Sequence, residues 1–278
     1  MKRFALSITI IVCTLQLLSA EGTISRGMGR AGMTEPNNTL SAVTNPSLLA
    51  YSSTSDFAFN YNTNDKIAMS RYDIIWTGML QTEKLGTGLS FEYQYEPSEP
   101  LYIIRTYRLG IPMCYRLKPY LSLGVTPHLI YFQQYSASPA RSLNAHVSVM
   151  GDYKKLIFAA VSLENILKDP HTERMLSIGI KNNFLFDVPI YYQYVHTLTT
   201  KENEHRFGIE YRLYPHADLR AGFRYDAERE NNNFFTLGAT WFASQDLAIS
   251  YSYENNGSNH IELHSVSLKL IDFTITED

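Results

Sequence analysis

His146 and Ser148 are the residues of this sequence whose types and spacing come nearest to a hydrolytic pair. A serine acts as a nucleophile when a base lies within hydrogen-bond reach of its hydroxyl, and residues two apart on a β-strand share a face. The pair lies on the polar side of an alternating segment, and the chain contains no Gly-x-Ser-x-Gly motif. The sequence therefore predicts no enzyme and no catalytic residue.

A second set of candidate side chains lies near the end of the chain. His260, Glu262 and His264 alternate along one predicted strand and are residue types that bind metal ions. Their spacing is wide and no fourth ligand is identifiable, so solvated lumen or loop residues are the favoured interpretation. We predict neither a metal nor any other cofactor. The apolar residues of this strand change from odd to even positions between Leu263 and Val266, which predicts a β-bulge at this point.

The elements that carry these residues are predicted to be β-strands. Between residues 204 and 255, apolar and polar side chains alternate along three of four segments. A period of two is the period of a β-strand. The linkers at 215–217 and 244–246 are short, whereas the one at 228–233 is long and polar. Short turns that alternate with longer loops are typical of an up-and-down barrel that spans a membrane.

The same pattern extends over most of the chain. It predicts an all-β fold, a transmembrane antiparallel up-and-down β-barrel of about 14 strands, with 12 as the lower bound. A soluble β-sandwich or a water-soluble barrel is the alternative. The fourteen candidate strands are 55–61, 66–78, 85–95, 100–110, 115–131, 142–150, 154–163, 173–181, 188–198, 204–213, 217–226, 233–242, 246–254 and 260–273.

The first twenty residues have the pattern of a secretory signal peptide. Lys2 and Arg3 precede a mostly apolar stretch that ends in Ser19-Ala20, so we expect cleavage after Ala20. Residues 21–54 are not strand-like, and 55–278 would form the barrel. The net charge is -3 and becomes -5 without the two basic residues, which argues against a nucleic-acid partner. After cleavage Cys114 is the remaining cysteine, so no intramolecular disulfide can form.

Charged side chains on the polar parity of two predicted strands should line the lumen together. Opposite charges on neighbouring strands can pair. Because both signs are mixed, a neutralised interior network is favoured over a polar pore lining or a site for an anionic head group. These residues are Arg206, Glu210, Arg212, Arg220, Arg224 and Asp226.

The segment 27–33, Gly-Met-Gly-Arg-Ala-Gly-Met, is followed by Asn-Pro-Ser-Leu-Leu-Ala at 45–50. This pattern resembles the start of the FadL-like and PorV-like outer-membrane proteins. The resemblance implies a fourteen-stranded barrel whose lumen holds the N-terminal segment, which we call the hatch (predicted over residues 21–54). It also implies that the hatch residues matter most, with a ligand bound beside them. Those residues are Gly27, Gly29, Arg30, Gly32, Asn45 and Pro46.

The resemblance implies two functions that differ in kind. FadL-like proteins pass fatty acids and other hydrophobic molecules through the outer membrane, and PorV-like proteins serve type IX secretion. We expect a bacterial outer-membrane protein that passes small hydrophobic or amphipathic solutes. The alternative is a non-enzymatic subunit or cargo-binding scaffold of a secretion system. The expected partners are outer-membrane lipid and a hydrophobic small molecule, or other envelope and secretion proteins.

Overall fold

The computed structural model describes residues 22–36, 39–52, 55–64, 69–97, 103–134, 139–167, 172–183, 188–213, 216–228, 233–257 and 261–271. The predicted signal peptide, its cleavage after Ala20 and the candidate ligand His260 lie outside these residues. In the described part of the chain, no helix has the length and apolar character needed to cross a membrane.

Fifteen β-strands form most of the described structure, and all of their pairings are antiparallel. Apart from the fourth and the fifth, each strand pairs with its neighbours in the sequence, and the first strand also pairs with the last, which closes the sheet into a barrel. The strands are β1 (Phe57–Asn64), β2 (Met69–Gln81), β3 (Leu85–Pro97), β4 (Ile103–Gly110), β5 (Met113–Lys118), β6 (Leu121–Gln134), β7 (Ala140–Tyr153), β8 (Ile157–Leu163), β9 (Met175–Asn182), β10 (Ile190–Thr197), β11 (Glu202–Leu213), β12 (Ala217–Asp226), β13 (Phe234–Phe242), β14 (Leu247–Asn256) and β15 (Ile261–Leu270).

Strands β4 and β5 occupy one position in the wall, since both pair with β3 on one side and with β6 on the other. The barrel therefore has fourteen strand positions, and the predicted fold is confirmed. The prediction of one strand over 115–131 is wrong, because this range contains the end of β5, a turn at 119–120 and most of β6. Pro112 has no N–H to donate to the ladder, so it interrupts the strand. The chain continues beyond it and reverses at Pro119 and Tyr120.

The two ends of the barrel differ in their connections. At one end, which we call the turn end, the connections include 82–84, 119–120, 154–156 and 243–246. At the other, the loop end, they include 98–102, 164–174 and 227–233. In bacterial membrane barrels the short turns face the periplasm and the longer loops face outward.

The wall is apolar outside and polar inside, which is the reverse of a soluble protein. Outward side chains such as Phe235, Leu143 and Leu237 have exposed fractions of 68%, 63% and 62%. Inward side chains on the same sheet, such as Asn60 and Arg71, are fully buried. This polarity is typical of a barrel whose outer surface contacts lipid, and it argues against the soluble alternatives.

Five tyrosines form a row across the outer face of the wall. Tyr61, Tyr72, Tyr93, Tyr107 and Tyr131 lie opposite one another in register on five adjacent wall strands. Neighbouring rings have centroids 4.9–6.1 Å apart. Tyrosines on the outer surface are typical of the interfacial girdles of membrane barrels, because the ring packs against lipid while the hydroxyl reaches polar groups.

The β-bulge predicted in the last strand is absent, so that prediction is wrong. β14 and β15 pair without a register shift from Leu247 opposite Leu270 to Asn256 opposite Ile261. Leu263 is buried on the lumen side, and the apolar residues beyond His264 face outward. The change from odd to even positions therefore reflects an apolar side chain, Leu263, on the inner face, and the strand itself is regular.

Candidate functional site

The described part of the hatch lies inside the barrel and is almost wholly buried. It contains a short helix, α1 (Thr23–Gly27), and the 3₁₀ helices Gly32–Thr34, Thr39–Val43 and Pro46–Ala50. Helix α1 packs against β12 to β15, and the last 3₁₀ helix packs against β3, β5, β6 and β7. The hatch therefore bridges opposite sides of the wall.

Glycines allow the first half of the hatch to touch the wall backbone directly. A Cβ on Gly222 of β12 would lie 2.1 Å from the backbone nitrogen of Gly29, and a Cβ on Gly238 of β13 would lie 2.8 Å from the Cα of Gly27. Gly29 also has φ of +61°, a conformation that favours glycine. Its N–H donates to Oγ1 of Thr236 at 2.8 Å, and that hydroxyl donates to the Gly27 carbonyl at 3.2 Å.

The second half of the hatch contacts the opposite wall in a similar way. A Cβ on Gly124 of β6 would lie 2.2 Å from the backbone nitrogen of Ser47. That N–H donates to Oγ of Ser148 at 3.0 Å, while Oγ of Ser122 donates to the Ser47 carbonyl at 3.0 Å. Both backbone groups of this hatch residue are thus satisfied by the wall, as burial requires.

Contacts within the hatch hold its two halves together. Asn45 donates from Nδ2 to the carbonyl of Met33 at 2.6 Å, and Pro46 begins the last 3₁₀ helix directly after it. The Gly32 N–H donates to Oγ of Ser25 at 3.1 Å. A Cβ on Gly32 would lie 2.8 Å from the same oxygen, so a larger residue does not fit there.

Two hatch arginines share one carboxylate of the wall. Arg26 and Arg30 lie 3.3 Å and 3.1 Å from the carboxylate oxygens of Glu254 on β14. All three side chains are almost completely buried. Arg30 has φ of +64°, and its carbonyl accepts a hydrogen bond from Arg206. Buried charges are tolerated when they are paired and hydrogen-bonded, so these contacts stabilise the docked hatch.

The middle of the hatch has an acidic anchor. Oε2 of Glu35 lies 2.5 Å from Nζ of Lys181 on β9 and accepts a hydrogen bond of 2.5 Å from the hydroxyl of Tyr191 on β10. Nearer the first strand, Thr39 donates to Asp56 at 3.1 Å. The hatch is therefore joined by polar contacts to the wall on several sides.

Most of the charges predicted for the lumen are buried there and paired. Arg220 lies between Glu210, at 2.7 Å, and Asp218, at 3.3 Å. Arg206 contacts Glu204. The Glu210–Arg220 pair joins the neighbouring strands β11 and β12, whereas the other two pairs each lie along a single strand, and together they place both signs of charge inside the barrel.

The other three predicted lumen residues, Arg224, Asp226 and Arg212, have different surroundings. The guanidinium carbon of Arg224 lies 3.9 Å from the ring centroid of Phe234, a cation–π contact. Asp226 is buried at the loop end of the same strand. Arg212 lies at the turn-end rim with 54% of its side chain exposed and contacts Asp218 at 3.1 Å, so it does not line the closed part of the lumen.

A cavity of about 380 Å³ lies between the hatch and the wall near the turn end. Ion pairs border it, including Arg212 with Asp218 and Lys269 with Asp56. Its apolar lining comes from both the hatch and the wall: Ile24, Pro36, Leu40, Tyr51, Ala58, Ala217, Phe242, Ala248 and Ile271. Ligand pockets typically enclose roughly 300–1,000 Å³, so this cavity can hold a small molecule.

Several contacts of this site were not predicted from the sequence, namely those of Glu35, Ser47, Lys181 and Glu254. Their partners are distant in the chain, and no local pattern marks them. The wall glycines did carry a signal. Glycine weakens a strand interior, so a glycine on the lumen parity indicates close approach of another backbone.

The two sets of candidate reactive or metal-binding residues from the sequence analysis make other contacts in the structure. Ser148 accepts a hydrogen bond from the hatch, and the rings of His146 and His128 are in contact, with centroids 4.4 Å apart and planes tilted by 56°. Glu262 accepts a hydrogen bond from a tyrosine on the neighbouring strand at 3.0 Å, and His264 contacts another tyrosine hydroxyl at 2.8 Å. The described members of both sets therefore make contacts with neighbouring strands or with the hatch.

No protein-family model matches the chain, and no curated protein matches it in sequence. Solved structures, in contrast, share its architecture. The toluene transporter TodX of Pseudomonas putida aligns with a TM-score of 0.68 at 10% identity, over 91% of this chain and 97% of TodX. The toluene transporter TbuX of Ralstonia pickettii aligns at 0.67 and 11% identity, over 91% of this chain and 98% of TbuX. A FadL homologue of Pseudomonas aeruginosa aligns at 0.65 and 12%, over 92% of this chain and 99% of the homologue.

The architecture defines a closed fourteen-position antiparallel barrel with its N-terminal segment folded into the lumen. That is the fold shared with the FadL homologue and the two toluene transporters. These similarities give no support to the alternative of a secretion scaffold.

Proposed function

We propose that this chain is an outer-membrane channel that lets small hydrophobic or amphipathic compounds enter the cell without chemistry. The observation that carries the proposal is the partly apolar cavity between the hatch and the wall. The lipid-facing character of the outer surface supports the location. The fold shared with toluene transporters supports the class of solute.

The proposal assigns a direction to the barrel. The turn end would face the periplasm and the loop end the exterior, following the rule for bacterial barrels. Export by the predicted signal peptide, with cleavage after Ala20, would leave residues 21–54 as the hatch and 55–278 as the barrel. The cavity would then be the last chamber before the periplasm, and a solute would reach it by passing beside the hatch.

Deletion of the hatch tests whether it closes the lumen. A variant that lacks residues 22–50 should conduct ions through a planar bilayer far better than the intact barrel, because the hatch fills the lumen. Equal conductance of the two proteins would argue against a closing role. Folding of both is checked by the heat-dependent shift in electrophoretic mobility that intact barrels show.

Filling the cavity tests whether it lies on the solute route. Ala248→Phe places a ring in the cavity, so the uptake of toluene into proteoliposomes should fall toward that of protein-free vesicles. Ala221→Phe is a matched control, because Ala221 lies on the outer face of β12, opposite the outward Ile209. Equal uptake by the Ala248→Phe variant and the control would remove the cavity from the route.

A further inference from the structure

A second polar site lies on the loop-end side of the hatch. On β6 and β7 the lumen-facing pair Gly124 and Ser148 touches the hatch. The next pair toward the loop end is Thr126 opposite His146, and the following pair is His128 opposite Asn144. Successive pairs are spaced about 7 Å along a strand, so these residues lie just beyond the hatch on the loop-end side.

The connection after β8 covers this site. The Ile166 N–H donates to the carbonyl of Ala145 at 3.1 Å, and the Leu167 N–H donates to Oδ1 of Asn144 at 3.1 Å. These bonds fold the start of the connection into the lumen, where Glu164 and Asn165 are buried. The site therefore has the hatch as its floor, two wall strands as its side and this connection as its cover.

Polar atoms without hydrogen-bond partners concentrate in this site. The side chains are at least 96% buried, yet several of their atoms have no partner among the described residues. An unpaired buried polar group is unfavourable, so a cluster of them indicates a site that hydrogen-bonds something that enters it. The atoms are Oγ1 of Thr126, Nε2 of His128, Nδ2 of Asn144, Nδ1 and Nε2 of His146, and Oδ1 of Asn165. The Asn165 amide and the His128 ring also lie close enough to interact with each other.

The charges around the site disfavour an ion of either sign. Oε2 of Glu164 lies 3.4 Å from Nδ1 of His146 without forming a hydrogen bond, and a bound anion would be repelled by it. Arg108 interacts electrostatically with the same carboxylate and would repel a cation. The unpaired atoms include the amide donor of Asn144 and the amide acceptor of Asn165. They fit a neutral group that both donates and accepts hydrogen bonds.

We propose that Thr126, His128, Asn144, His146 and Asn165 form a binding site for the hydroxyl group of an amphipathic solute, such as a phenol, on its way to the hatch. This proposal rests on the proposed function and narrows its solute class. A solute with an apolar body and one hydroxyl would satisfy the unpaired atoms here. The body could then enter the apolar cavity beyond the hatch.

Toluene and 4-methylphenol are matched probes, because they differ by one hydroxyl. A purely apolar pocket would favour toluene, since burying an unpaired hydroxyl is unfavourable. Isothermal titration calorimetry on the barrel in nanodiscs, with empty nanodiscs subtracted, should instead show 4-methylphenol binding about tenfold more tightly, the factor expected from one or two net hydrogen bonds. The double variant His128→Leu/His146→Leu should lose this preference.

Two further variants keep the test decisive. Thr126→Val retains the side-chain shape and removes one hydroxyl, so it should reduce the preference even if the double variant fails to fold. His205→Leu is the control, because His205 lies on the outer wall beside Tyr192 and should leave the preference unchanged.

The outcomes separate this inference from the proposed function. Toluene binding without a preference for 4-methylphenol would overturn the hydroxyl site and leave the channel for hydrophobic compounds in place. An unchanged preference in Thr126→Val and in a folded His128→Leu/His146→Leu variant would also overturn the site. Failure to bind or pass either probe would overturn both proposals.

Discussion

Replacing Gly222 with alanine should release the hatch from the wall. The new Cβ would lie 2.1 Å from the backbone nitrogen of Gly29 and 2.2 Å from the carbonyl carbon of Met28. Ordinary contact requires about 3.5–4.0 Å, so this part of the hatch has to recede by about 1.5 Å. Backbone atoms cannot rotate away as a flexible side chain can, so the displacement has to involve the hatch or the strand itself.

The displacement should break the polar contacts beside it. The hydrogen bond from Gly29 to Thr236 contributes about 1 kcal/mol. Separating Arg26 and Arg30 from the buried Glu254 costs about 3–5 kcal/mol. The sum, about 5 kcal/mol, raises the undocked population by roughly three to four orders of magnitude. The barrel should persist, since its strand ladders do not depend on these contacts.

Cleavage by trypsin measures the population with an undocked hatch directly. Arg26 and Arg30 are 2% and 1% exposed, so the wild-type protein in detergent should resist cleavage at both, whereas Gly222→Ala should be cut there. Conductance should rise in parallel. Gly151→Ala is the matched control, since the nearest atom to its added Cβ lies at an ordinary 3.4 Å. A folded Gly222→Ala barrel with uncut arginines and unchanged conductance would refute the reasoning.

Two other substitutions probe the wall and the ion pairs that hold the hatch. Leu237→Arg puts a charge on the lipid-facing side of β13 and should destabilise the barrel in bilayers by about 2–4 kcal/mol, seen as a lower urea midpoint; an unchanged midpoint would contradict the lipid-facing assignment. Glu254→Gln leaves Arg26 and Arg30 without their carboxylate and should make the hatch sensitive to trypsin; full resistance would show that other contacts hold it.

The wall could be predicted because a lipid-facing barrel imposes one chemical contrast on every strand. Apolar side chains outside and polar side chains inside give a local period of two, which is visible without any knowledge of pairing. The prediction failed at a residue that interrupts the hydrogen bonding of a strand without reversing the direction of the chain. Pro112 interrupts the strand but does not reverse the chain, which turns only after β5, so the prediction of one strand over 115–131 missed the turn at 119–120.

The contacts of the hatch could not be predicted, because each joins residues far apart in the chain. Ser47 meets Ser148, and Arg30 meets Glu254, across 101 and 224 positions. The resemblance drew attention to Gly29 and Asn45 but gave no partners for them. A glycine such as Gly222 on the lumen parity is the one local feature that indicated a docking surface.

The positions of these contacts indicate the route that a solute takes past the hatch. Glu254 and Lys181 are each buried and paired with a hatch residue. Complete removal of the hatch would break both ion pairs, at a free-energy cost of about 3–5 kcal/mol for each. The wall would also lose the backbone contacts of Gly29 and Ser47. A solute of a few apolar atoms cannot supply that free energy, because burying a CH₂ group contributes only about 0.8 kcal/mol. We therefore expect passage beside a docked hatch, through the side where the cavity already lies.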